Sequence, residues 1–87
     1  SSPMQKAIDI TELNIKIEKA KKEFEANPDS FNAKNNLANA YFDRAFALTD
    51  AAQYRAAIGD FRKGLKLNPN DKESQEIRNS LNALREK

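Results

Sequence analysis

Tyr54-Arg55-Ala56-Ala57-Ile58-Gly59-Asp60-Phe61-Arg62-Lys63-Gly64-Leu65-Lys66-Leu67-Asn68-Pro69 decides the fold of this chain. Tyr54, Ala57, Ile58, Phe61, Gly64 and Leu65 recur at the spacing of one helical face, and Asn68-Pro69 ends the run. The same ending occurs earlier: Lys22-Glu23-Phe24-Glu25-Ala26-Asn27-Pro28-Asp29 parallels Lys63-Gly64-Leu65-Lys66-Leu67-Asn68-Pro69-Asn70. Two helices closed by one signal point to a helical repeat architecture.

The 87 residues suffice for one domain, spanning 1–87, with a core of three or four helices. Val and Trp are absent, there are two Gly and three Pro, and Ala, Lys, Glu and Asn are abundant. That composition favours an all-α fold over a sheet. The absence of Cys excludes disulfides and thiolate metal sites. No apolar run approaches the roughly 20 residues that span a bilayer. The expectation is a soluble chain without membrane insertion; the cytoplasm is favoured, although no residue fixes the compartment. Ser1-Ser2-Pro3 reads either as a remnant ahead of a start at Met4 or as the cut edge of a fragment.

A net charge of +2, from 15 basic and 13 acidic groups, is too balanced to call for nucleic acid or an anionic membrane. Its distribution is uneven. Residues 1–30 carry five basic and six acidic groups, residues 31–54 two of each, and residues 55–87 eight and five. A central segment poor in charge and rich in Ala and aromatics is expected to be covered on more than one side.

Four helices are expected, over about 8–25, 31–49, 51–67 and 71–85. In the first, Ile10, Leu13, Ile17, Ala20 and Phe24 form the inward stripe, with Glu12–Lys16 and Glu18–Lys22 as solvent-face pairs. Met4, Ile8, Thr11 and Ile15 form a weaker second stripe, suited either to partial exposure or to another chain. Pro28 stops this helix, and Asp29 or Ser30 caps the next. The second helix has Leu37, Tyr41, Ala45 and Leu48 on one face and Asn32, Asn35, Asn39, Phe42 and Phe46 on another. Asp50 with Gln53, and Asn70 with Glu73, have capping-box spacing and are expected to open the third and fourth helices. Lys63 and Lys66 complement the dipole of the third. Ile77, Leu81 and Leu84 give the fourth a narrow apolar stripe, as in a helix that caps a stack. Short connections make successive helices antiparallel neighbours.

Tyr54, Ala57, Phe61, Gly64 and Pro69, preceded by Tyr41, Ala45 and Leu48, resemble the two helices of a tetratricopeptide repeat, a unit of about 34 residues. The resemblance is strong from about Asn39 to Asp71. It covers one full repeat, the second helix of a degenerate repeat before it, and a capping helix after it. Physically, Ala45, Ala57 and Gly64 mark close helix crossing, and Tyr41, Leu48, Tyr54 and Phe61 fill the space around it. Arg44 departs from the usual Leu, Ala52 from a frequent Gly, and Gly64 from the usual Ala. Pro28 and Pro69 are 41 residues apart, so the central helix is expected to be lengthened at its start by about two turns.

The resemblance implies a right-handed superhelical stack and a scaffold that binds peptides or proteins along its concave groove. Asn32, Asn35, Asn39, Phe42 and Phe46 are then the candidate ligand-binding residues, with Asn supplying donors and acceptors and Phe apolar area. The competing reading packs Phe42 and Phe46 beneath the first or fourth helix and leaves the Asn side chains in water. One subfamily clamps a terminal carboxylate, but Lys34 and Asn39 are five apart rather than four, and too few repeats are present. That ligand is not expected.

With neither His nor Cys, the commonest general base, the usual nucleophile dyads and any nitrogen or sulfur metal site are excluded. No catalytic residue, metal or cofactor is expected, and the chain is not read as an enzyme. Asp43 and Asp60 are expected in solvent, with Arg44, Arg55 and Arg62 available as partners. Arg55, Arg62 and Lys66, with Lys63 beside them, read as a solvated helix face and not as a nucleic-acid surface, since no aromatic is interleaved. The leading expectation is a non-catalytic scaffold for a protein or peptide. The alternative is a self-associating, homo-oligomeric module or a fragment of a longer repeat protein.

Overall fold

The computed structural model describes residues 9–85. They form four α-helices, α1 (Thr11–Ala26), α2 (Phe31–Asp50), α3 (Tyr54–Leu67) and α4 (Lys72–Arg85), with no strand among the described residues. Each helix packs on the next. Asn14 and Lys16 of α1 meet Arg44 and Asp43 of α2, and Arg44 and Phe42 in turn meet Asp60 and Gly64 of α3. Partners whose numbers run in opposite directions make the neighbours antiparallel. The expected all-α stack is therefore present, and α2, at 20 residues against 14 to 16 for the others, is its longest member.

The two Asn-Pro stops share one backbone conformation. Asn27 has φ −138°, ψ 68° and Asn68 has φ −135°, ψ 83°. Proline forbids the helical conformation to the residue before it, so each Asn is driven toward the extended region after its N–H has closed the last turn.

Helix starts differ more from expectation. Helix α1 begins at Thr11, whose N–H donates to the Asp9 carboxylate at 2.9 Å. Met4 and Ile8 lie outside the described residues. Ser30 caps α2, its hydroxyl accepting from Ala33 N–H at 3.1 Å. Asp71 caps α4 in place of Asn70, its carboxylate accepting from Ser74 N–H at 3.0 Å.

Asp50 and Gln53 do not form a capping box: Asp50 ends α2, and α3 begins only at Tyr54. The connection is a left-handed cap instead. Ala52 has φ 60°, its N–H donates to Thr49 O at 2.9 Å, and Gln53 N–H reaches back to Leu48 O at 2.9 Å. This six-to-one and five-to-two pair is the Schellman arrangement, in which Gly normally takes the left-handed position because it has no Cβ. Ala there carries about 1–2 kcal/mol of local strain. Ala52→Gly should raise stability by about 0.5–1 kcal/mol in chemical denaturation, the relief being partly offset by the greater freedom of Gly in the unfolded chain.

Two apolar clusters hold the stack. One joins Ile17 and Ala20 of α1 to Leu37, Ala40 and Tyr41 of α2, with Phe24 and Leu67 against it. The other joins Phe42, Ala45 and Leu48 of α2 to Ala57, Ile58, Phe61 and Leu65 of α3 and Leu81 of α4. Helix α2 contributes to both, as its low charge requires. Ala45, Ala57 and Phe61 are fully buried, Tyr41 and Leu48 nearly so, Tyr54 is half-buried, and Pro69 is exposed. A Cβ on Gly64 would overlap the ring of Phe42, so this glycine makes room on α3 for an aromatic side chain of α2. Leu84, expected in the stripe of α4, is exposed, whereas Ser74 is buried.

Candidate functional site

Polar residues on α2 divide into a buried network and an exposed face. In the network, Arg44 Nε donates to Asp60 Oδ2 at 2.6 Å, Nη2 donates to Oδ1 at 2.8 Å, and Nη1 donates to Asn14 Oδ1 at 2.8 Å. One guanidinium thus ties α2 to both α1 and α3. The hydrogen bond to Asp60 raises the pKa of Arg44, outweighing the opposing effect of burial. Asp60 is not the solvated carboxylate expected from its sequence: its side chain is only 6% exposed, against 20% for Arg44. A bidentate guanidinium engages both its oxygens and fixes the carboxylate between α2 and α3. Among the described residues no group of three or more His, Cys, Asp or Glu is placed to hold a metal ion.

The exposed face carries Asn32, Asn36, Asn39 and Asp43. Asn35 is half-buried at its edge. Lys16 does not simply decorate α1 beside Glu12; its Nζ crosses to Asp43 Oδ2 at 3.0 Å. Glu18 lies nearer Lys21, at 3.6 Å. Between α1 and α2, Lys16, Lys19, Ala20, Glu23, Asn36 and Asn39 line an open cleft of about 360 Å³. Its chemistry is mixed: Lys16, Lys19 and Glu23 on the α1 side, the amides of Asn36 and Asn39 on the α2 side, and the buried methyl of Ala20. Amides present both donors and acceptors, which suits an extended backbone.

Phe42 and Phe46 are not on this face. Phe42 is 4% exposed and packs against Gly64, while the half-buried Phe46 meets the Phe61 ring edge-on, with centroids 5.2 Å apart. Both belong to the interface of α2 with α3 and α4. At 100° per residue the exposed face is turned by about 50° from the Asn32–Asn35–Asn39–Phe42–Phe46 stripe, toward α1. Asn36 and Asp43, absent from the sequence-based candidates, replace the two Phe. Their signal was available in the charge pattern, because Asp43 with Asn36 and Asn32 forms a wholly polar line at spacings of four and seven.

Arg55, Arg62, Lys63 and Lys66 are exposed on α3. An aromatic does stand among them, supplied by another helix: Lys63 Nζ lies 5.6 Å from the ring centre of Tyr41 on α2. Compared with protein-family models, with curated proteins and with solved structures, the chain gives no match. No helix among the described residues is long and apolar enough to cross a membrane.

Proposed function

We propose that the chain is a non-catalytic module of the tetratricopeptide type that holds a protein or peptide segment against the outward face of α2. The observation that carries this reading is the unbroken amide line Asn32, Asn36 and Asn39, left exposed along the longest helix and opening into the cleft beside α1. Extended segments bind through their main chain, and each Asn of the row offers it a donor and an acceptor without imposing a charge. Phe42 and Phe46 contribute by stiffening the helix that displays this row. The left-handed cap, the Asn-Pro stops and the small residues at the α2–α3 crossing support the family resemblance physically.

Peptides selected from a displayed random library on the purified chain should bind the wild type and lose about tenfold in affinity on Asn36→Ala/Asn39→Ala, with far-ultraviolet circular dichroism unchanged. Failure to select any binder, or equal affinity for the variant, overturns the reading. A second reading, self-association, is favoured by the exposed apolar side chains Ile15, at 63%, and Leu84, at 52%, on the first and last helices. Repeat arrays bury such flanks against a neighbour. Light scattering from micromolar to millimolar concentration should then show a mass that rises and that Ile15→Lys/Leu84→Lys returns to monomer; a constant monomer mass rules it out.

A further inference from the structure

A second groove lies on the other side of α2, bounded by α1 and α3. Its floor is apolar, made by Phe24, Leu37, Tyr41 and Leu67, and its volume is about 310 Å³. Its rim carries Lys21, Lys63 and Lys66, opposed by one acid, Glu25. Lys63 and Lys66 are exposed and the Lys63 ammonium is poised over the Tyr41 ring, so the positive edge is anchored to the apolar floor. Beyond Lys66 the surface continues into a cleft of about 480 Å³ between α3 and α4, where Arg62, Lys66, Gln75 and Arg78 face one another with no acidic side chain in the lining. Lys66 borders both spaces.

We infer that this surface docks an acidic protein segment carrying a bulky apolar side chain. The apolar residue sits on Phe24, Leu37 and Tyr41, and the flanking carboxylates meet Lys21 and Lys63 on one side of Lys66 and Arg62 and Arg78 on the other. Charge complementarity selects the occupant, since two adjoining grooves offer five cations against one carboxylate in a chain whose net charge is only +2. A nucleic acid fits less well. Leu37 and Leu67 make half of the floor and Lys63 lies over the Tyr41 ring, so Phe24 is the one other aromatic there and the groove offers no row of rings on which successive bases stack. Leu37 and Tyr41 project from α2 opposite Asn32 and Asn39, so this docking is independent of the amide face.

The test uses the full chain and a fluorescein-labelled peptide of Glu and Asp around a single Phe, followed by anisotropy. Controls are the same peptide with every acid changed to Lys and an oligouridylate RNA. Wild type should bind the acidic peptide, more weakly as salt rises, and Lys63→Glu/Lys66→Glu should weaken it by about tenfold or more, whereas Asn36→Ala/Asn39→Ala should leave it unchanged. The peptide should also shift backbone amide resonances of residues 21–25, 37, 41 and 63–67 in wild-type protein and spare the side-chain amides of Asn32, Asn36 and Asn39, a readout that does not depend on the variants folding. Equal binding of the lysine peptide, tighter binding of RNA, an unaffected charge-reversal variant or shifts confined to Asn32, Asn36 and Asn39 each overturn the assignment.

Discussion

Asp60→Ala should destabilise the fold by about 3 kcal/mol, and Arg44→Leu by more, while the double variant should lie within about 1 kcal/mol of wild type. The order follows from burial. Removing the carboxylate leaves a guanidinium that is 20% exposed and still bonded to Asn14, so part of its charge can find water. Removing the guanidinium strands a carboxylate that is 6% exposed between α2 and α3, with neither water nor a donor to replace the two bonds of 2.6 and 2.8 Å. An unpaired buried charge is penalised more than the pair itself gains, because the pair has already been taken out of water. Chemical denaturation of the four proteins of the cycle measures the coupling. If the double variant loses the sum of the two single losses, Arg44 and Asp60 do not act as a pair. A domain of this size has total stability on the order of 4–13 kcal/mol, so the costlier single variant should be visibly depleted of folded protein.

The pair also accounts for the departure at position 44, where the resemblance to tetratricopeptide repeats leads us to expect Leu. Arg44 is there because Asp60 is across from it. Nothing in the periodicity of either helix announces this, since the two residues are 16 apart and meet only once α2 and α3 are folded against each other. Local signals were legible where a single residue type dictates the backbone. Pro28 and Pro69 fixed two helix ends, and Ser30 one start. They failed where two local patterns share a spacing. Asp50 and Gln53 stand as far apart as the two members of a capping box, yet the chain there takes a left-handed turn at Ala52, and an alanine gives no warning of positive φ.

Faces of α2 were legible as two stripes, but which neighbour covers which stripe was not. A helix in the middle of a stack buries an arc wider than one hydrophobic stripe, because α1 and α3 approach from different directions. The boundary of that arc falls between Phe42 and Asp43, adjacent in sequence and opposite in fate: one is in the core, the other is bonded to Lys16. Tyr41 beneath Lys63 is the same effect at the surface, an aromatic brought into a basic strip by a second helix.

Gly64→Ala should destabilise wild type by about 1–2 kcal/mol yet stabilise a Phe42→Ala background by about 1 kcal/mol, a reversal of sign at one position. Helix propensity alone favours Ala over Gly by about 1 kcal/mol in the interior of α3. Against it stands the Phe42 ring, which occupies the place a Cβ would take and cannot swing aside, because the side chain is 4% exposed and enclosed by α2, α3 and α4. Overpacking of that kind costs about 1–3 kcal/mol and outweighs the propensity gain. Phe42→Ala by itself should cost about 3–5 kcal/mol through the cavity it leaves. Once the ring is gone the added methyl meets empty space, partly refills it, and its propensity appears undiminished. Denaturant midpoints of the four proteins decide the matter: equal effects of Gly64→Ala in the two backgrounds would show that glycine is present for some reason other than contact with Phe42. The reversal would establish that the glycine at position 64 is required by a phenylalanine on the helix that also carries the proposed binding face. A loss of stability at Phe42 and a loss of binding at Asn36 and Asn39 are then separable, although all three residues stand within two turns of one helix.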